Sequence, residues 1–330
     1  MWSANMALLD AAAGALERGM LRLLSPGGGP KLSILIYHRV LPQTDPLFPG
    51  EVDRVAFNHQ MALVKSRFNV LPLLDAVRLA RAGELPPRAA CITFDDGYAD
   101  NAEVALPLLQ QHGLHATFFI ATGFLNGGRM WNDSVIELVR RLPGPQFDAT
   151  SLGLGSHQVE TIEQRRQAIH ELIRQLKYVP MDERLQQVDK LVALAGLALP
   201  DDLMMSTGQL HKLRDAGMGI GAHTVNHPIL ARLPADQARD EIAKGKQELE
   251  ALIGGQVPLF AYPNGKPGED YLSEHVQMVR ELGFEGAVST AWGSGGDTFQ
   301  LPRFTPWDRN RLRFLLRLSR NLTFSASSVA

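Results

Sequence analysis

Ala89-Ala90-Cys91-Ile92-Thr93-Phe94-Asp95-Asp96-Gly97-Tyr98 is the stretch on which the fold turns. A short uncharged run without polar alternation ends abruptly in two adjacent carboxylates and a glycine. Such a run marks a strand buried on both faces, as in parallel sheets. The pattern recurs in Leu32 to Tyr37, His115 to Ile120, Gly219 to Ala222, Val257 to Ala261, Gly286 to Ser289 and Leu301 to Pro306. Helical periodicity fills the intervals at 55–66, 73–82, 100–112, 235–253 and 270–282. Alternating strands and helices predict a parallel sheet covered by helices. With about seven strands, the fold class expected is α/β, a distorted (β/α)7 TIM-like barrel.

In such barrels the chemistry sits at the C-terminal ends of the strands. His38, Asp95, Asp96, His223, His227 and Pro263 all follow predicted strand ends. Met218 to Ala222 leads into His223-Thr224-Val225-Asn226-His227. Two imidazoles and one carboxylate form a facial ligand set for a divalent cation, with positions left for water or substrate. The remaining carboxylate is free to act as a base on that water. Asp95 and Asp96 are neighbours whose side chains diverge, and the residues alone do not say which takes which role. Each fragment has a plain structural reading as well: Asp-Asp-Gly favours turns, and a spaced histidine pair can simply open a loop. Their joint placement at strand ends is what points to hydrolysis.

The domain boundaries expected are an N-terminal amphipathic helix and linker at 1–30, a barrel at 31–306, and a C-terminal helix and tail at 307–330. A helix-rich stretch at about 124–214 interrupts the strand alternation and reads as an insertion. In the N-terminal helix, expected over 6–24, Leu9, Leu16, Met20, Leu23 and Leu24 recur at helical spacing. That face suits packing on the barrel or self-association with a second copy, with peripheral membrane contact as the alternative. The linker Ser25-Pro26-Gly27-Gly28-Gly29-Pro30 follows.

With 330 residues and 45% hydrophobic content, the chain has ample material for one large core. A formal net charge of -2 and the lack of an evident basic stripe argue against nucleic acid as a partner. Cys91 is the sole cysteine; it cannot form an intrachain disulfide and reads as a buried thiol. Asp10, Glu17 and Arg18 interrupt any signal-peptide core. No transmembrane run of about 18 apolar residues occurs. The expectation is therefore a cytoplasmic protein, with membrane association left open.

Thr93-Phe94-Asp95-Asp96-Gly97-Tyr98 and His223-Thr224-Val225-Asn226-His227 resemble the first two motifs of the polysaccharide deacetylase (NodB-homology) family, carbohydrate esterase family 4. Tyr37-His38-Arg39-Val40 and Phe260-Ala261-Tyr262-Pro263-Asn264-Gly265 resemble the branch acting on exopolysaccharides such as poly-N-acetylglucosamine. The resemblance covers residues 32–306 and implies removal of N-acetyl groups from an amino-sugar polysaccharide, or its precursor, in exopolysaccharide biosynthesis. The implied partner is an acetylated polymer or oligosaccharide. Asp96, His223 and His227 would hold the metal, Zn²⁺ first, although such a site also accepts Fe, Co or Ni. Asp95 would be the general base, and the Tyr98 backbone N–H a donor to the developing oxyanion.

Tyr262 and Pro263 are expected to shape the groove wall, although a core role suits Tyr262 equally. Trp292 is a candidate wall for the acetyl pocket or a sugar face. Thr224 either caps its loop or braces His223. Two departures from the family pattern stand out. Ala261 occupies a position where many members carry an arginine that orients the base, and Leu301-Pro302-Arg303 lacks the histidine that commonly supplies a general acid. Arg303 is the candidate replacement for the arginine, and His38 for the acid. Hydrolysis of a non-sugar amide and catalytically silent carbohydrate binding remain alternatives; the intact Asp95 argues against the second.

Overall fold

A computed structural model describes residues 14–29, 31–306, 308–323 and 330. The first part of the expected N-terminal helix, residues 6–13, lies outside the described residues. The chain forms two compact units. The first comprises the chain up to Gln43, Val52–Leu125 and the chain from Met205; the second comprises Thr44–Glu51 and Asn126–Met204.

The first unit opens with α1 (residues 14–24). β1 (Ser33–Tyr37), α2 (Arg54–Arg67), β2 (Asn69–Val70), α3 (Leu73–Ala82) and β3 (Ala89–Phe94) follow. A π-helical turn, Asn101–Ala105, enters α4 (Leu106–His112), and β4 spans Thr117–Ile120. The second unit holds α5 (Trp131–Arg141), β5 (Gln146–Asp148), β6 (Ser156–Gln158), α6 (Ile162–Leu176) and α7 (Met181–Ala195). The first unit then resumes with α8 (Thr207–Asp215), β7 (Gly219–Ala222), α9 (Ala235–Ile253) and β8 (Leu259–Ala261). It closes with α10 (Ser273–Glu281), β9 (Gly286–Val288) and α11 (Arg311–Thr323).

The sheet of the first unit is parallel, in the order β1-β3-β4-β7-β8-β9, with β2 on the start of β3. Tyr37 pairs with Phe94, Ile120 with Ala222, and Ala261 with Val288. This register brings the strand ends level, so the loops after them share one rim. The sheet is curled but incompletely closed. Where the pattern predicts a seventh strand, Leu301 makes a single bridge to Val288 and Phe304 one to Leu35. Pro302 and Pro306 lack the N–H groups that a continuous ladder needs. Arg303 therefore sits in the gap between β9 and β1.

Side chains alternate between two apolar clusters along the strands, the period of a pleated backbone. Ile34, Cys91, Phe119, Ala261 and Val288 belong to one, with Leu73, Ala76 and Val77 of α3. Leu35, Ile92, Phe118, Phe260 and Ala287 belong to the larger one, with residues of the covering helices. Truncating the fully buried Phe119 to Ala is expected to cost about 3–5 kcal/mol. The Phe119 ring also explains Gly221, where an added Cβ would lie 2.4 Å from a ring carbon. Cys91 is fully buried, and burial pushes its thiol far above the ordinary value, so it is inert as a nucleophile.

The apolar stripe expected to hold α1 down does so only in part. Leu16, Met20 and Leu23 are exposed, whereas Leu21 is fully buried in the larger cluster with Leu24 packed beside it. No described helix is long and apolar enough to cross a membrane.

The second unit has its own core, in which Val135, Leu138, Leu172, Leu176, Val188 and Leu191 of its helices meet. Leu47 joins it from the preceding segment, and Arg140 grips Asp45 through both Nη atoms, at 3.0 and 2.6 Å. The antiparallel β5–β6 hairpin was not expected from the sequence. Nor does this unit extend to 214: it stops at Met204, and α8, started by a Ser206–Gln209 capping box, packs on α9 and β7.

Candidate metal and catalytic site

The pleat of β3 places Cys91, Thr93 and Asp95 on one face. The next residue leaves that pattern: Asp96 has φ 75°, in the left-handed region. Its carboxylate thereby meets the histidines that follow β7. Asp96 Oδ1 lies 3.4 Å from His223 Nε2 and 3.5 Å from His227 Nε2. Ligand atoms of the three residues all fall within 4.8 Å of one another. Asp96 Oδ1 is buried, with no hydrogen-bond partner among the described residues. A buried, unsatisfied carboxylate oxygen costs free energy unless something cationic meets it. His223 Nδ1 donates to the Ala261 carbonyl at 2.8 Å, which leaves Nε2 as the lone-pair nitrogen facing Asp96. The set fits a divalent cation.

Electrostatics at the cluster agree. Burial pushes the Asp96 carboxyl upward, but the close approach of His223 and the charges of His227 and His38 prevail and hold it well below the ordinary range. Burial drives His227 down to about 4, with the charges of His223 and His38 adding to the effect. His223 moves the other way: its burial is outweighed by Asp96 and Asp95, which raise it. His38, exposed just beyond β1, is thus felt at Asp95, Asp96 and His227 alike. Its loop is pinned by Asn101, which donates to the His38 carbonyl at 2.9 Å. Asp100 adds to this by accepting from Val40 N and Arg39 Nε.

Asp95 is held from the gap in the sheet. Arg303 Nη1 donates to Asp95 Oδ1 and Nη2 to Oδ2, both at 2.6 Å. Arg303 Nε donates to the Ser289 carbonyl at 3.0 Å, which fixes the plane of the guanidinium. Burial opposes ionisation of Asp95, but Arg303 and then His223 overcome it and lower its pKa. Asp95 Oδ2 stands 3.9 Å from His223 Nε2, so the held carboxylate borders the cluster.

The polysaccharide deacetylase family model matches residues 82–178 and 187–287, which include Asp95, Asp96, His223 and His227. The chain belongs to the polysaccharide deacetylase family. It is 20% identical over 265 residues to YxkH of Bacillus subtilis (strain 168), which carries a polysaccharide deacetylase name. That alignment takes in 80% of this chain and 66% of YxkH, so the chain spans slightly under two thirds of that relative. The Streptococcus pyogenes deacetylase PplD, solved in complex with acetate, superposes with a TM-score of 0.56 at 19% identity, covering 83% of this chain and 92% of PplD. IcaB from Ammonifex degensii gives 0.57 at 18%, covering 90% and 98%. These solved structures show a shared fold.

Other features of the chain bear on the remaining expectations. Tyr262 is fully buried, stacks on Tyr271 at 3.8 Å and donates its hydroxyl to the Phe299 carbonyl at 3.0 Å. It is a core residue, because its ring is spent on Tyr271 and its hydroxyl on the backbone. Pro263, also buried, turns the chain after β8 and offers no open face for a groove wall. Tyr98 is buried with its ring beneath the Arg39 guanidinium, 4.8 Å from centroid to Cζ. Trp292 is 43% exposed and meets Phe304 edge-on.

The loop bearing His227 has a support that the sequence analysis missed. Glu241 on α9 accepts from Val225 N at 3.0 Å, Asn226 N at 2.8 Å and Asn226 Nδ2 at 2.7 Å. Thr224 accepts from His227 N at 3.1 Å and donates to the His223 carbonyl. Thr224 and His227 both have positive φ, 64° and 51°. Such strained backbone persists only when its surroundings hold it. α9 comes this close because of Gly245, where a Cβ would lie 2.8 Å from the Thr224 carbonyl. One glutamate on a helix rich in acids carries no sequence signal of this role.

Proposed function

We propose that this polysaccharide deacetylase hydrolyses the N-acetyl amide of an amino-sugar polysaccharide or its precursor, within exopolysaccharide biosynthesis. The observation that carries the reading is the buried, ionised Asp95, clamped by Arg303 and bordering the Asp96–His223–His227 cluster. A divalent cation on those three residues, Zn²⁺ first, would supply an acidified water and polarise the amide carbonyl. Asp95 takes the proton of the attacking water, and its ionised state before the reaction is what Arg303 maintains. The Tyr98 backbone N–H is assigned to the developing oxyanion. His38, exposed just beyond the end of β1, is assigned to protonate the departing amine. Trp292 offers an open ring for a sugar face. Acetate in the complex of PplD, a deacetylase of this fold, is consistent with acetyl as the group released.

The test is metal analysis of the purified protein together with acetate release from N-acetylated glucosamine oligomers of increasing length. Metal-dependent acetate release that rises with chain length is expected. Release from small non-sugar amides but from none of the oligomers would replace the substrate class. Tight oligomer binding with no acetate would establish a silent binder.

A further inference from the structure

Five of the twelve large apolar residues exposed among the described residues lie on two arginine-rich helices, α1 and α11. α11 and the residues just before it carry Arg309, Arg311, Arg313, Arg317 and Arg320 against Asp308. α1 adds Arg18 and Arg22 against Glu17. The chain as a whole has net charge -2, so this excess of cations is local. Five of these seven arginines lie in residues 309–320, so the linear sequence does hold a basic stretch, and folding brings the arginines of α1 into its neighbourhood.

Two contacts make the helices neighbours. Glu17 pairs with Arg311 at 3.3 Å, and Lys31, which ends the connection from α1 to β1, donates to the Leu322 carbonyl at 2.8 Å. Their inner sides share one core, with Leu21 alongside Phe314, Leu315, Leu318 and Leu322. Their outer sides are apolar and open: Leu16 is 77% exposed, Leu23 84%, Leu312 64% and Leu316 57%. Leu16 and Leu312 directly adjoin the Glu17–Arg311 pair in sequence. Both nearby acids are already engaged, Glu17 by Arg67 and Arg311, and Asp308 by Arg317. Arg18, Arg22 and Arg313 have no carboxylate partner among the described residues. Arg18 and Arg22 also approach Arg88, whose pKa is lowered first by burial and then by their charges.

Exposed leucines flanked by uncompensated arginines are the composition of a helix face that lies in a lipid interface. Scattered single leucines need no explanation, but four leucines exposed on two neighbouring helices amid one sign of charge do. We infer that the joint outer surface of α1 and α11 docks on an anionic phospholipid bilayer, the leucines entering the headgroup boundary and the arginines meeting lipid phosphates. The charge selects this occupant. A second copy of the chain would bring the same cations against these, whereas an anionic surface neutralises them.

α1 lies beside the residues entering β1 and β3, since Arg88 N donates to the Ser25 carbonyl at 2.9 Å and Lys31 precedes β1. The candidate active site is at the opposite, C-terminal ends of the strands.

The test is co-sedimentation of the full chain with vesicles of phosphatidylcholine alone and of phosphatidylcholine with phosphatidylglycerol. Binding to the anionic vesicles that weakens with salt, and little to the neutral ones, is expected. The combined substitution Arg18→Glu, Arg22→Glu and Arg313→Glu should lower partitioning by about a hundredfold, since each basic residue near such a surface contributes about fivefold. A separate set, Leu16→Ser, Leu23→Ser, Leu312→Ser and Leu316→Ser, should also release the protein while leaving its melting temperature unchanged. No binding to anionic vesicles, or binding unchanged in both sets, overturns the inference. So does a dimer in analytical ultracentrifugation that the serine set dissociates, if the parent chain ignores vesicles.

Discussion

Arg303 grips Asp95 with two parallel hydrogen bonds of 2.6 Å from a segment that bridges the gap in the sheet, while β8 ends on Ala261. The guanidinium fork matches a carboxylate in a way that an ammonium cannot. The substitution Arg303→Lys is therefore expected to keep the fold and the bound metal yet reduce kcat by roughly 10²-fold, the scale of an ångström of misplacement. Arg303→Ala should in addition lose about 3–5 kcal/mol of stability, by leaving a buried carboxylate unpaired. Steady-state kinetics and thermal melts on the two variants check this; a lysine variant with full kcat would show that Asp95 needs no such aim.

The base and the ligands should separate experimentally. Asp95→Asn is expected to retain metal and lose roughly 10²–10⁴ in turnover, the usual general-base contribution. His227→Ala, by contrast, should lose metal and activity while the fold survives, since His227 is only partly buried and lies on the rim. Metal content by mass spectrometry, measured beside circular dichroism, distinguishes the two. Equal metal loss in both variants would mean that Asp95 is itself a ligand.

Glu241 should behave as a positioning residue. Removing its three bonds to the 225–226 backbone and Asn226 frees a strained loop, so Glu241→Ala is expected to weaken metal affinity by about 10–100-fold, as loss of a ligand's support does. Gly245→Ala should act in the same direction by pushing α9 off Thr224. Competition titration with a chromophoric chelator measures the affinity. An unchanged affinity with a lowered melting temperature would reduce both residues to structural ones.

The metal-free protein should show a pH signature. His227 titrates at about 4 when folded, below its ordinary 6.5, so the unfolded chain binds more protons between those values and stability falls as pH drops through that window. His223 is raised, so its contribution is full below about 6.5 and is lost as pH rises through its folded value. In chelator-treated samples, His227→Ala should therefore flatten the acid side of the stability profile and His223→Ala the side above 6.5. Urea melts across pH 4–9 read both slopes, and identical effects of the two variants would refute the assignment.

Asp95, Asp96, His223 and His227 were legible from the sequence because each motif is local: an apolar run short enough for a strand, then polar residues where a strand must end. The helical segments were legible for the same reason, their periodicity being written in consecutive residues. Arg303 could be nominated from Ala261, but its bidentate geometry depends on Pro302 and Pro306 keeping the last segment from forming a ladder, which leaves Arg303 in the gap. Glu241 on Asn226, Tyr262 stacked on Tyr271, and the outward turn of Leu16 and Leu23 were decided by tertiary structure alone. A period of 3.6 says that α1 has apolar faces, not which of them finds a partner. Strand ends follow from nearest neighbours in the chain, whereas which side chain meets which across the rim follows from register and helix approach, set only when the whole sheet has formed.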